Sequence, residues 1–560
     1  MKIIDARRRL LATSKHAVPL GAIAWLFVGS ASAANLVVNP ANTNANDRGE
    51  GSESQPLLTI GAAMKRLRPG DHVFIAEGVY REPVLFPSRS WDGSRETVIE
   101  GDPNGHTLIK GSVVMTAWRS EGGGRFVAPI GYEPEQVFVD GEPLRQIGGT
   151  VFGGFPDLPT HPLAPLFAGA PGGIWPGRIA GGRASMPVNS FHYDKLQGDL
   201  MIRTAADSLD GRRVEVGALQ RLVSASGVAR VVLKNLSFEH SNTTATTRGG
   251  AVQMEGKNIR IENIKIRRTD GTCLGLNGTN HEIKTSSFSE CGQLGMGGRG
   301  SGWEIADVTV SRNNTRGFNK WWEAGGAKFV GEGGLTNSTI SRFKAIENFG
   351  DGLWFDYRNR DNRITNSLFA FNAGFGLHLE VCESFLVDHN VALGNRQRGI
   401  YLRQTSLSTI AFNLVASNGL DGVAIIAEGP GDSTGNNWVV GNVMAWNQVG
   451  LTLPEPLGDN RSDGNAYVGD AAATSVRIGW AKAVSRADWT EKGLDSNSEW
   501  LDLSKALRPG TDAAQLRDEL PGWYRTMRSS LRALPAPLMH SLKNRASALQ
   551  NRTDSRPGPP

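Results

Sequence analysis

Between Asn348 and Arg403 one short pattern recurs: Gly352-Leu353-Trp354-Phe355-Asp356, Gly376-Leu377-His378-Leu379-Glu380 and Gly399-Ile400-Tyr401-Leu402-Arg403. Each copy opens on glycine and then alternates apolar and polar residues, the two-residue period of a strand with one buried face. The glycines lie 24 and 23 residues apart, and an earlier copy, Gly326-Ala327-Lys328-Phe329-Val330, starts 26 residues before the first. A repeat of this length that carries a strand and no full amphipathic helix can bury its apolar face only against neighbouring copies. The expected fold is therefore an all-β solenoid of stacked coils.

Stacking the copies in register aligns Leu353, Leu377 and Ile400 in one inward row and Phe355, Leu379 and Leu402 in the next. Facing out are two ladders: Lys328, Trp354, His378 and Tyr401, and beside it Val330, Asp356, Glu380 and Arg403. Neighbouring strands sit about 4.8 Å apart, which sets the carboxyls of Asp356 and Glu380 roughly 5 Å apart. That is the spacing of nucleophile and acid/base in a retaining glycosidase. Like charges opposed across strands cost stability, and Arg403 on the next coil offsets part of that cost. The same repulsion should raise one carboxyl's pKa, giving an acid beside an ionised partner. Trp354, Tyr401 and Trp321 or Trp322 share this face, and aromatic rings beside carboxylates suit the apolar faces and hydroxyl edges of sugars. His378 bonds substrate or serves only as a ladder partner of Trp354 and Tyr401. Lys328 and Glu323 contact substrate or pair with each other across the turn. Arg299 and Arg316 lie near the same face without a distinguishing context.

The chain has 560 residues, enough for one large core and a smaller unit. At its start, Arg7, Arg8 and Arg9 precede an apolar run from Ala17 to Gly29 and the small-x-small triplet Ala31-Ser32-Ala33. This reads as a cleaved export signal over residues 1–33, loosely of the twin-arginine kind, too short to stay as a membrane span. The expected location is periplasmic or extracellular. The formal net charge is +5, of which Lys2, Arg7, Arg8, Arg9 and Lys15 against Asp5 account for +4. The remainder is nearly neutral and gives no reason to expect nucleic acid as a partner. Cys273, Cys291 and Cys382 have no metal-ligand spacing. Cys273 and Cys291 fall on adjacent coils where they could be close, an odd count leaves at least one thiol unpaired, and buried or stacked thiols are the expected state.

Read in order, residues 34–111 form an N-terminal cap and the first coils. A short helix is expected near Thr59–Leu67, then Pro69-Gly70-Asp71 as a turn and strands at 72–75 and 78–80. Over 112–222 the period is lost. An Asp140-Gly141 hairpin, a Gly/Pro-rich stretch at 152–183 and a second hairpin at 190–203 suggest an inserted β-rich module, and such inserts often border a solenoid's binding face. The period returns over 223–470, with one lengthened coil at Phe318–Glu332 and Asn-rich corners that tolerate left-handed backbone. It fades after Asn447. Residues 471–560 read as a C-terminal cap, with a short helix near Arg486, a helical stretch at 515–534 and a polar tail.

The opening phrase Gln55-Pro56-Leu57-Leu58-Thr59-Ile60 followed by Pro-Gly-Asp resembles the N-terminal cap of right-handed parallel β-helix proteins. Trp322-Glu323-Ala324-Gly325-Gly326-Ala327-Lys328-Phe329, Gly352-Leu353-Trp354-Phe355-Asp356 and His378-Leu379-Glu380-Val381 resemble motifs of exported members of the pectate-lyase-like superfamily. Among these the chain is most similar to the β-xylosidases of glycoside hydrolase family 120, over roughly residues 320–400 in detail and elsewhere in architecture. The resemblance implies a β-rich module inserted in the helix, Asp356 as nucleophile and Glu380 as acid/base. It requires no cofactor and implies an oligosaccharide or polysaccharide as substrate. A rival on the same fold is a polysaccharide lyase, with Lys328 or Arg403 as base and Ca²⁺ held by Asp356 and Glu380. A third class is a non-catalytic carbohydrate-binding surface protein.

Overall fold

The computed structural model describes residues 33–91, 93–147, 182–243, 249–318, 320–429, 432, 434–470, 475–480 and 482–502. Nearly all of the expected signal, most of 152–183 and the 515–534 stretch lie outside the described residues.

Three long sheets of 13, 14 and 13 strands run along the molecule, and successive coils add one strand to each. Within the sheets pairing is parallel, apart from the final antiparallel hairpin Val476–Ile478 with Lys482–Val484. The result is a parallel β-helix whose core is continuous from Leu36 to Leu494. Leu353, Leu377 and Ile400 pair in register, as do Phe355, Leu379 and Leu402, and all six are fully buried. The first coil is closed by the helix Ile60–Arg66, where the Thr59 side chain accepts from the Ala62 amide and Glu82 takes the Ile60 and Gly61 amides. Exposed first-turn amides are thereby satisfied. Among the described residues no helix is long and apolar enough to cross a membrane.

The corners explain why the coils keep step. Asn348, Asn372, Asn395, Asn418 and Asn447 stack inside the turn that feeds the 14-stranded sheet. The Nδ2 of each of the first four donates to the next Oδ1 at 2.9 Å, that of Asn447 donates to the Val415 carbonyl, and each Oδ1 also accepts a backbone amide from the coil before. A second stack, Asn390, Asn413, Asn442 and Asn465, lines the preceding corner. These buried amides are thus hydrogen-bonded at both ends, the condition under which burying a polar group is tolerated. The division of labour at the corners is finer than the sequence suggests. Asn366 does adopt left-handed backbone, with φ 52°, but at the other corner Phe371 takes that conformation (φ 57°) and Asn372 turns inward.

An inserted unit interrupts one coil between Thr107–Lys110 and Val223–Ala229. It consists of a four-stranded and a five-stranded sheet around Phe126, Val137, Phe191, Ile202 and Val216. Both hairpins read from the sequence are there: Val137–Val139 with Glu142–Pro143, and Ser190–Asp194 with Asp199–Arg203. Two polar clusters fasten the unit to the solenoid. Glu215 meets Arg81 at 2.6 Å and Lys110 at 3.1 Å, which holds its carboxyl down at about 2 against the opposing effect of burial. At the second, Arg316 bonds Asp270, the Glu135 carbonyl and Gln146. Burial pushes the Asp270 carboxyl up to about 7, and Glu135 is raised too, first by burial and then by Asp270.

Two expectations are corrected. Cys273 and Cys291 form a disulfide, with Cα atoms 5.8 Å apart, and are not free thiols. The adjacent coils on which the sequence places them bring the two Cα atoms within bridging distance. Coiling also outlasts Asn447: Ala466–Gly469 and Glu499–Asp502 still pair in parallel. The loops there vary in length, so the sequence period breaks while strand pairing continues.

Truncating Asn395 to alanine leaves donors and acceptors unpaired on both neighbouring coils. Urea unfolding should show a loss of about 1–3 kcal/mol. The Asp270 carboxyl binds its proton more tightly folded than unfolded, so its contribution is complete below about pH 4 and fades as pH rises through about 7. Asp270→Asn should therefore gain thermal stability relative to the parent across that window, read as a widening difference in Tm.

Candidate active site

The 14-stranded sheet presents the two outward ladders. Strand pairing sets Lys328 beside Trp354, Trp354 beside His378 and His378 beside Tyr401. On the neighbouring ladder Asp356 lies directly opposite Glu380, and Glu380 opposite Arg403. The two acids thus stand on adjacent rungs of one face, about 4.8 Å apart at the backbone.

Each acid has its own cation. Lys328 Nζ lies 2.9 Å from Asp356 Oδ2, donates to the Trp322 carbonyl and sits 3.3 Å from the Trp354 ring centroid. Arg403 donates to Glu380 Oε1 and also pairs with Glu428, so its charge is divided between two carboxylates. His378 Nδ1 donates to Asp351 Oδ2 at 3.0 Å. That bond leaves Nε2 directed to Glu380 Oε2 at 3.9 Å, buried and without a hydrogen-bond partner among the described residues. Asp351 is a residue the sequence reading passed over. It precedes Gly352, where the next two copies carry Phe375 and Arg398 and the one after them Asp421.

The aromatic ladder differs from expectation. Trp354, His378 and Tyr401 stack at 4.9 Å centroid spacing, but each is 5% exposed or less. Phe375 packs edge-on to His378 and tilted on Tyr401, and Trp321 packs on Phe375. A ladder drawn as open in a single sheet is roofed by the corner before Gly376 and by the lengthened coil. Burial pushes the Tyr401 phenol up to about 12, so it is a neutral donor. Cys382, two residues past Glu380, is buried and its thiol is pushed well up by burial.

The open space lies on the other side of Asp356. A cleft of about 390 Å³ is lined by Gln253, Gly275, Asn277, Gly297, Arg299, Trp322, Glu323, Lys328 and Asp356, among others. Its floor continues the Lys328 ladder backwards through Gly297, Gly275 and Gln253. Glycine at two consecutive rungs removes side chains where the aromatic ladder would otherwise run on, and this makes the depression. Of the sequence candidates, Asp356, Lys328, Glu323 and Trp322 line the cleft. Glu380 and Arg403 stand one and two rungs beyond its end, and Trp354, His378 and Tyr401 lie under cover. Arg299 lines the cleft, whereas Arg316 is taken up at the junction with the inserted unit. Among the described residues no group of three or more His, Cys, Asp or Glu is arranged to hold a metal ion.

Residues 250–415 match the family model described as a right handed beta helix region, and the fold is a right-handed parallel β-helix. The structure described as XylC in complex with xylose superposes with a TM-score of 0.52 at 15% identity, covering 84% of this chain and 82% of that one. A structure described as a glycoside hydrolase gives 0.47 at 11% identity, over 87% and 98%. The Azotobacter vinelandii mannuronan C-5 epimerase AlgE6 A-module gives 0.41 at 13%, over 80% and 93%. No curated protein sequence matches the chain.

A side chain at position 297 would rise into the cleft. A Cβ there meets the Lys328 carbonyl at 3.0 Å and Leu294 Cδ1 at 3.9 Å, with nothing else within 4 Å. Gly297→Leu should fill part of the cleft and weaken the binding of any ligand that occupies it, tested first with xylose, by more than about tenfold while Tm moves only a few degrees, as read by titration and melting together.

Proposed function

We propose that this protein is an exported retaining glycoside hydrolase acting on an oligosaccharide or polysaccharide, with Asp356 as nucleophile and Glu380 as acid/base. The observation that carries the reading is the register: two carboxylates on adjacent rungs of one sheet face, one of them at the end of a sugar-sized cleft. A sugar in the cleft brings its anomeric carbon to Asp356. The carboxylate attacks that carbon, the bond to the leaving oxygen breaks, and Glu380 gives that oxygen its proton. The Glu380 carboxylate then takes a proton from water, whose oxygen displaces Asp356 from the sugar. Lys328 pairs with Asp356 and holds it in place. Asn277, Gln253, Glu323 and Trp322 hold hydroxyls and ring faces. The Cys273–Cys291 bridge fits an oxidising, exported setting. Engagement of the Lys328 ammonium by Asp356 and the Trp322 carbonyl suits a charge partner better than the free base a lyase needs.

The test is a screen of nitrophenyl glycosides, β-xyloside first, followed by variants on whichever is cleaved. Asp356→Asn should lose turnover on every substrate. Glu380→Gln should lose about 10²–10⁴-fold on poor leaving groups and much less on nitrophenolate, which needs no proton. NMR should show the first product with the anomeric configuration of the substrate. A product absorbing in the ultraviolet through a new conjugated double bond would instead establish the lyase.

A further inference from the structure

Along the site-bearing sheet the chemistry has a direction. The cleft comes first, then Asp356 at its end, then Glu380 one rung on, then the rung of Tyr401 and Arg403. If the attacked sugar fills the cleft, the leaving group must extend past Glu380, toward the C-terminal coils. That side holds one feature no strand of the repeat accounts for. Trp480, on the turn after Val476–Ile478, is 60% exposed, the most exposed tryptophan among the described residues. Its position is fixed. The Gly479 amide donates to the Leu453 carbonyl at 2.9 Å, and Gly479 has φ 71° with the Glu455 side chain against the space a Cβ would need.

The ring is also supported from beneath. The Arg398 guanidinium carbon lies 5.6 Å from the Trp480 ring centroid and 4.7 Å from that of Tyr401, the rung next to His378 and Glu380. Arg398 is anchored by Nε to Asp421 at 2.6 Å, and Asp421 in turn accepts from Thr452 Oγ1 at 2.6 Å. One guanidinium thus bridges the covered ladder of the site to an exposed indole. A large apolar ring left in solvent is costly, while a rigid aromatic face resting on a cation and open on its other side suits the C–H face of a sugar ring.

We propose that Trp480 is the platform of a leaving-group subsite. It stacks a sugar of the oligosaccharide on the side of Glu380 away from the cleft, so the substrate is a chain that runs along the sheet across both acids. This rests on the hydrolase reading for its direction, and the experiment separates the two. Intrinsic fluorescence titration with xylotriose and cellotriose, against xylose and glucose, reads binding whether or not a bond is cut; the Asp356→Asn background prevents turnover. At least one trisaccharide should bind about tenfold tighter than its monosaccharide, and that excess should vanish in Trp480→Ala and survive in Trp480→Phe. In the active protein the kcat/KM ratio of trisaccharide to nitrophenyl monoglycoside should fall about tenfold in Trp480→Ala. An excess that persists in Trp480→Ala, the absence of any trisaccharide excess, or an equal fall on both substrates overturns the subsite. Tight, Trp480-dependent binding with no turnover on any glycoside would keep the platform and overturn the hydrolase.

Discussion

The structure depends on one repeated hydrogen bond, the amide-to-amide link between corner asparagines of successive coils. Asn348, Asn372, Asn395 and Asn418 each give a side-chain N–H to the asparagine of the next coil, and Asn447 ends the row by giving its own to the Val415 carbonyl. A single slip would leave buried donors and acceptors unpaired along a whole corner, at a cost of several kcal/mol. The strands that begin two to five residues after these asparagines therefore have only one register. Asp356 faces Glu380 because Asn348 and Asn372 hold their coils level.

On that fixed lattice the site is made by what is removed and what is added. Gly275 and Gly297 remove side chains from one ladder, and the cleft lies above them. The lengthened coil adds Trp321, Trp322 and Glu323. Of these, Trp322 and Glu323 wall the cleft, while Trp321 packs on Phe375 over the aromatic stack. The same sheet is thus open on one side of Asp356 and covered on the other. The inserted unit is fastened at Glu215 and at Arg316, and Arg316 belongs to the loop that leads into the lengthened coil.

Much of the fold was legible because a solenoid writes its geometry in its period. Gly352, Gly376 and Gly399 were enough to predict which leucines point inward and which two acids share a face. The period failed where loops vary, as after Asn447, and it says nothing about cover. Trp354, His378 and Tyr401 read as an exposed platform because alternation reports which side of a strand a residue is on, not what lies over it. Phe375, two residues before its own strand, carried no signal that it would fold back across the ladder.

The amino-acid sequence by itself determined the coil, the register and the pairing of Asp356 with Glu380, since strand alternation and corner asparagines are local and repeat. Only the tertiary structure decided which carboxylate meets open space, which aromatic rings are covered, that Cys273 bonds Cys291, and that Trp480 returns to the vicinity of Tyr401. These depend on contacts between segments far apart in the chain, made by loops of unequal length that no repeat encodes.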